Sequence, residues 1–565
     1  MIYYLQPGML RRVAQLWAIV ASIIFAGLAI QQGPPVPPEG PGIETDIQYI
    51  FVLVGIFSTL IALRWPRQGG ALLVFTGMAL GIAAAGRYSA ETSFLVALMF
   101  VVPGVLLLAA WSLTRGIFAQ GFSVAFVVIL LAYGGVTATA RHETAFGPAH
   151  PQSAIEVAPV DLVEWVWSGG VSSDEATIKA RLVDHEATAR LAFSTSSDLS
   201  SARFVEGAAL GDGVSSFSLR SLDPYTTYYY AVEVGGRLDE GRRGSVRTFP
   251  EGAASFRFLV AACARTGSNG AVFDAMRNEN ALFYVISGDF HYENIVGDNP
   301  SGFARAYNKN LGADAPGALY RQTPIAYTWD DHDFGGNNSD AGSPAKEAAR
   351  LAYNRYVPHY DLVAGTGDNP IYQAFSAGRV RVILTDTRSM KNEEKGSMLG
   401  SVQRAWLENE IKTASATHAL VVWVTGVPWI AADGSSPDDW GGFADERREI
   451  ADVVAQNGID NLLVLSGDAH MLAIDDGTNS DYSTSKAGGF PNFQAGALDR
   501  PGSVKGGPFS EGTYPGAGQY GVVDVQDNGR SITVKLTGKN WENTEIVSYT
   551  FTVPARDRGN GAEAR

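Results

Sequence analysis

The sequence predicts a multi-domain chain of three successive parts: membrane-spanning helices, a small antiparallel β-sandwich, and an α/β domain. Three observations predict it. Five long uncharged apolar stretches crowd the first 140 residues. Short alternating segments divided by Gly, Asp and Ser fill residues 155–250. From about residue 255, apolar β-rich runs alternate with helix-like stretches. The expected limits are 1–145 for the helical region, 150–250 for the sandwich, 255–555 for the α/β domain and 556–565 for a disordered tail. A chain of 565 residues is too long for one ordinary core, which agrees with this division.

The apolar stretches run approximately over 13–30, 47–63, 70–86, 93–113 and 116–139. Each can cross about 30 Å of hydrocarbon at a rise of about 1.5 Å per residue. A cleaved leader would be followed by a polar chain, whereas four more apolar stretches follow the first. Arg11, Arg12, Arg64, Arg67 and Arg115 fall on one side of the expected membrane; Arg87 and Arg141 fall on the other. The positive-inside rule then puts the N-terminus in the cytoplasm, and five crossings put everything after Arg141 outside it. No charge lies within a span, so anchoring is a simpler role than ion conduction.

Residues 1–145 hold seven Arg, no Lys and five Asp or Glu, so the remainder carries a formal charge of −17 against −15 for the whole chain. That acidity disfavours nucleic-acid binding, which neutralises phosphates with a basic face. The single cysteine, Cys263, excludes an intrachain disulfide framework.

In the sandwich region, strands are expected at 176–182, 189–194, 215–219 and 228–234. Leu222-Asp223-Pro224-Tyr225-Thr226-Thr227-Tyr228 resembles the late-strand corner of fibronectin type III-like domains, where a buried Tyr hydrogen-bonds nearby backbone. Beyond residue 255, strands at 256–262, 281–287, 325–329, 380–385, 419–425 and 461–466 each end abruptly in polar residues. A helix at 401–413 turns Trp406 and Leu407 inward. Strands whose carboxyl ends carry such residues assemble sites in α/β folds, because those ends line one crevice.

Cys263, Asp289, Tyr292, Asp331, His332, Asp468 and His470 gather at those ends, and His291 joins them. Carboxylate, imidazole, phenolate and thiolate together form a metal-ligand set. No G-x-S-x-G elbow or glycine-rich phosphate loop is present. Cations bridged by one carboxylate would bind phosphate oxygens and acidify a bound water.

The ordered motifs Cys263, Gly288-Asp289-x-x-Tyr292, Trp329-Asp330-Asp331-His332-Asp333 with Asn337-Asn338, Asp386-x-Arg388, Leu399-Gly400-x-x-Gln403-x-x-Trp406-Leu407 and Gly467-Asp468-x-His470 carry a resemblance. They resemble the PhoD-type alkaline phosphatases and phosphodiesterases of the calcineurin-like metallophosphatase superfamily, over about 155–555. The resemblance implies a metallophosphatase fold and phosphate-ester hydrolysis by a metal-activated hydroxide. It implies Asp289 as the bridging carboxylate, with Cys263, Tyr292 and His470 completing an Fe(III) site. It implies Asp331, Asp468 and Asn337 at a second position for Ca(II), with other divalent metals as alternatives. His332 takes the place of a general acid or charge stabiliser, and Arg388, Arg265, Arg500 and Lys505 are candidates for holding phosphate oxygens, with His291 a further substrate-side candidate. Two features depart from the wider superfamily: Cys263 replaces the first Asp-x-His, and Thr425-Gly426-Val427-Pro428 stands where many relatives have a histidine.

Taken singly, each residue also has a structural reading. Cys263 reads as inert core, Asp289 as a helix cap, and Tyr292 as a half-buried aromatic. Asp330 and Asp333 read as loop support, Asp386 with Arg388 as an ion pair, and His291 as solvent-exposed. Two other functions fit the same chain: a membrane-tethered binding module with an inactive metallophosphatase fold, and a helical sensor or transporter with a soluble output domain. Alanine at Asp289 separates hydrolysis from the binding module, since it should abolish the first and leave partner binding unchanged. Phospholipid headgroups, wall polymers and released nucleotides are the substrates that a membrane location brings within reach.

Overall fold

Runs such as Leu420–Thr425 and Leu462–Ser466 are buried at every position, and apolar up to their last residue, because both faces of their sheet are covered. In the computed structural model these runs form the middle of two facing sheets. The structure describes residues 7–31, 43–84, 90–115, 117–146, 152–156, 159–367, 369–500 and 502–554. The expected tail at 556–565 lies outside them. The chain divides into two units, Met1–Ala149 and His150–Arg565.

The first unit contains helices Pro7–Gln31, Ile43–Arg64, Pro66–Ala84, Ala90–Ser112 and Ile117–Phe146. Among the described residues, four stretches are long and apolar enough to cross a membrane: Pro7–Ala26, Pro66–Ala84, Phe94–Ser112 and Ser123–Ala140. The second helix contributes a shorter apolar stretch, Leu53–Arg64. Glycines let the third and fourth helices approach closely. A Cβ on Gly104 would lie 2.7 Å from the Gly70 oxygen, and one on Gly77 2.6 Å from the Ala97 oxygen. Between the first two helices, the Ser22 and Thr59 hydroxyls pair at 3.0 Å.

The second unit is built on a ten-stranded sheet. Its order is Glu545–Pro554, Ser531–Asn540, Gln519–Asp527, Phe256–Ala261, Tyr284–Ser287, Ile325–Thr328, Val163–Gly169, Ala176–Leu182, Val214–Leu219, Ala208–Gly211. The three strands from Phe256 to Thr328 run parallel. A seven-stranded sheet faces them, with Val380–Leu384, Leu420–Thr425, Leu462–Ser466 and Asn492–Ala495 parallel at its centre.

Side chains alternate across each strand. Phe258, Val260 and Val285 meet Val382, Val422 and Leu463 in one apolar layer between the sheets. Leu259, Ile286 and Tyr327 point outward into the layer formed by Pro300–Leu311, Asp314–Gln322 and Lys346–Tyr356. Val421, Trp423 and Val464 point the other way, onto Gly400–Thr417 and Ala444–Gln456. Each buried Val, Leu or Phe contributes about 1.5–3 kcal/mol. Leu407 is fully buried as expected, whereas Trp406 is half-buried against Tyr372 at 4.7 Å.

The antiparallel region resembles a β-sandwich, and one of its sheets is the far end of the ten-stranded sheet. Val163–Gly169 pairs in parallel with Ile325–Thr328 through Gly169 and Ile325, and that one pair joins the two β regions into a single sheet. The opposing five-stranded sheet contains Ala189–Ser194 and Thr227–Val234. Tyr228 is buried there, and its hydroxyl accepts from the Asp223 amide at 2.9 Å. That is a structural corner with no reactive group in it.

Glycines at the strand ends permit the sheets to converge. A Cβ on Gly467 would lie 2.3 Å from the Ser287 oxygen of the opposite sheet. Gly467→Ala is therefore expected to force the two sheets apart, at a cost of about 1–3 kcal/mol. Thermal unfolding of the full chain in detergent checks this, and an unchanged melting temperature would contradict it.

Candidate metal centre and active site

The residues that end the central strands adopt a conformation most side chains avoid. Cys263, Asp289 and Asp468 have φ of 65°, 56° and 62°, each just past a strand, and Gly288 has φ of 106°. Left-handed backbone at non-glycine positions costs about 1–3 kcal/mol each and concentrates at functional sites. The consequence here is local. The chain turns sharply at each strand end, and side chains from both sheets converge. The Ala264 amide reaches the Asp289 oxygen at 2.9 Å, and Thr328 Oγ1 donates across the sheets to the Thr385 oxygen at 2.7 Å.

Asp289 is the centre of the arrangement. It belongs to three groups whose ligand atoms lie within 4.8 Å of one another: with Cys263 and His470, with Asp331 and His332, and with Asp330 and Asp468. Its Oδ2 accepts from the Tyr292 hydroxyl at 2.5 Å and lies 3.5 Å from Cys263 Sγ. The Tyr292 oxygen also lies 3.1 Å from His470 Nε2. Asp289 Oδ1 is buried without a hydrogen-bond partner, and so is Asp330 Oδ2. Buried acceptors left unpaired are costly unless something charged completes them. Thiolate, phenolate and imidazole beside a carboxylate suit a trivalent or soft-accepting transition ion; an oxygen-only group suits a hard divalent one. The donor set therefore fits metal ions at both places.

Electrostatics point the same way. Burial, then repulsion from Asp331, Asp330, Asp333 and Asp468, pushes the Asp289 carboxyl well above the usual range. Burial and then Asp438 do the same to Asp468. Burial likewise raises Asp330 to about 6 and Asp333 to about 7. Burial would also raise Asp331, but His332 and then Arg388 outweigh it and bring the carboxyl down. Crowded carboxylates that resist ionising in the bare protein are the electrostatic counterpart of a cation site.

A pH prediction follows from Asp333. Its folded value lies above that of an unfolded Asp, near about 3.9. Its contribution to the stability of the metal-free chain is thus present at low pH and is lost as pH rises through about 7. His291, His332 and His359, all shifted down by burial, act in the opposite sense. Those histidines cancel when two proteins that share them are compared. In chelator, Asp333→Asn is expected to gain on the parent chain in melting temperature between pH 5 and pH 8. A difference that stays flat across that range contradicts the assignment.

The other expected residues divide clearly. His332 joins the cluster: its Nδ1 lies 2.6 Å from Asn294 Oδ1, and its Nε2 lies 3.9 Å from Asp331 Oδ1. With Asn294 Oδ1 as acceptor, the proton sits on Nδ1. Burial, aided by Arg500 and Arg388, lowers the ring's basicity against the pull of Asp331. Arg500 lies with its guanidinium 4.0 Å above the Tyr292 ring. Lys505 Nζ contacts both oxygens of Asp468 at 2.8 Å. Arg265 is exposed, and its backbone amide is held by Asp499.

Three expectations need correction. His291 is fully buried between Phe303 and Tyr307, with burial and then His332 pushing it down to about 3, so it does not face a substrate. Arg388 is fully buried and spans Asp330 at 2.5 Å and Asp438 at 2.8 Å, so it supports the carboxylates from behind. Asn337 is exposed; the amide of Asn338 is what meets Asp331, at 2.5 Å. Asp330, read from the sequence as loop support, stands within the cluster itself. Asn294 and Asp438 were not foreseen. Neither lies in a strand-end motif, and the Ser-Ser-Pro-Asp-Asp context of Asp438 reads as a solvated loop.

Facing sheets flanked by helices, with this ligand cluster at the strand ends, define a metallophosphatase fold. Residues 258–513 match the PhoD-like phosphatase family. Alkaline phosphatase D of Bacillus subtilis (strain 168) is 24% identical, over 44% of this chain and 52% of that protein. The chain thus spans about half the length of this curated relative. The solved structure of PhoD superposes with a TM-score of 0.59 at 16% identity, covering 71% of this chain and 92% of that one. Purple acid phosphatase PPD1 from yellow lupin (Lupinus luteus) seeds gives 0.51 at 13% identity, covering 71% and 75%. These two likenesses are likenesses of fold.

Proposed function

We propose that this chain hydrolyses phosphate esters in a metal-dependent reaction, anchored in a membrane by its apolar helices. The observation that carries the reading is Asp289, a buried carboxylate common to three cation-capable groups and with one oxygen unpartnered. Cys263, Asp289, Tyr292 and His470 would hold Fe(III); Asp468 and Asp330, with Asp289 and with Asp331 beside them, would hold Ca(II) or another divalent ion. When bound, such ions supply Lewis acidity toward phosphate oxygens and lower the pKa of water.

The chain's own residues supply the rest. Asn294 fixes the His332 ring with Nδ1 protonated, which leaves Nε2 as the atom that takes up or returns a proton beside Asp331. Arg500, above the Tyr292 ring, holds positive charge beside the cluster where phosphate oxygens would lie. Arg388 favours the ionised forms of Asp330 and Asp438 and holds both in place. With Ile43–Arg64 counted as a fifth span beside the four longer ones, the arginine distribution supports a cytoplasmic N-terminus and a site outside the cytoplasm.

The full chain in detergent, assayed with a chromogenic phosphomonoester and the matching diester, tests the reading. Turnover of either ester is expected. A folded, metal-loaded chain that turns over neither sinks the proposal.

A further inference from the structure

We propose that Lys505 is a built-in competitor for the second cation position, so that a divalent ion binds there only by displacing its ammonium from Asp468. The inference rests on the metal-dependent reading above and adds a regulatory element to the same site. Lys505 Nζ lies 2.8 Å from each oxygen of Asp468 and 2.9 Å from Asp438 Oδ2. Three carboxylate oxygens thus surround one ammonium. Asp468 is also one of the carboxylates that, with Asp289 and Asp330, could hold an ion. An ion and an ammonium that share the same two oxygens repel each other, and against the buried Asp468 that repulsion is only partly screened, although the Lys505 side chain is itself 33% exposed.

The surroundings provide for the exchange. Asp438 is held independently by Arg388 Nη1 at 2.8 Å and faces Lys391 Nζ at 3.7 Å. It keeps an anchor for Lys505 when Asp468 is released. The backbone on either side of Lys505 is pinned: the Ser503 amide donates to the His470 oxygen at 3.0 Å, and the Gly507 amide to the Ile430 oxygen at 2.8 Å. Gly506, at φ 74°, lies so close that a Cβ would meet the Ile430 oxygen at 2.2 Å. The loop therefore stays, and the side chain pivots about Asp438. The second position becomes a low-affinity site whose filling follows the divalent-ion concentration, while the position at Cys263, Tyr292 and His470 is left to bind its ion tightly.

Calcium titration calorimetry on the full chain in detergent, with iron already bound, reads this directly. Lys505→Met is expected to bind calcium at least about tenfold more tightly than the parent chain, because an opposing charge is removed from a buried carboxylate. Lys505→Arg keeps the charge and should keep the weak binding. Iron content and melting temperature report whether each variant retains the fold and the first position. Calcium affinity in Lys505→Met that is unchanged or weaker overturns the proposal. If neither the parent chain nor Lys505→Met binds calcium, the competitor and the second cation both fall, while chelator-sensitive ester hydrolysis would leave the phosphoesterase reading standing.

Discussion

Asp289→Ala is expected to lose metal and to lower kcat/KM for phosphate esters by about a thousandfold or more, with the fold retained. The size of the effect follows from how much converges on one side chain. Asp289 is the member common to all three cation-capable groups, so its removal disables each of them together. Its Oδ2 also fixes the Tyr292 hydroxyl, which in turn touches His470. The fold should survive because the carboxyl is a burden to the bare protein: burial and four neighbouring aspartates oppose its ionisation. Circular dichroism and a melting curve beside the kinetics separate lost chemistry from lost structure. A variant that keeps both metal and turnover would move the reactive centre elsewhere.

Arg388→Ala is expected to destabilise the chain by about 3–5 kcal/mol, the usual cost of breaking a buried ion pair from one side. The guanidinium has no exposed surface, and it neutralises Asp330 and Asp438 together. Without it those two carboxylates remain buried with only Lys505 and the more distant Lys391 nearby. Lysine is a poor replacement, since a single ammonium lacks the fork that spans both partners. Denaturant unfolding of the variants measures the loss. If Arg388→Ala were as stable as the parent chain and showed only a raised KM, Arg388 would return to the phosphate-holding role that its motif implies.

The sequence made some of this legible and hid the rest for physical reasons. The strands Ala176–Leu182 and Ala189–Ser194 were readable to the residue, because alternation and turn residues bound them on both sides. The strand ends of the α/β region were nearly as clear, since apolar runs stopping at Gly-Asp or Asp-Asp-His leave little choice. The continuation of the main sheet into Val163–Gly169 was not readable. Trp165 and Trp167 from that strand pack into the helical layer beside Tyr320 and Tyr356, and no local pattern announces a pairing more than 150 residues away. The motif aspartates and histidines were found by type and position, but their directions were not. Asn337 and Asn338 are neighbours in a turn, and only the fold tells which meets Asp331 and by which atom. Asp438 escaped for the same reason. An aspartate in a polar loop looks solvated until Arg388, Lys391 and Lys505 are seen closing on it.

The measurement closest to the central claim is the metal content of the purified full chain, determined with ester hydrolysis before chelation, after it, and after metal is restored. Bound metal is expected, with turnover that disappears with the metal and recovers when it returns. Turnover that persists in a chain stripped of metal, or a folded chain that takes up no metal at all, would contradict it.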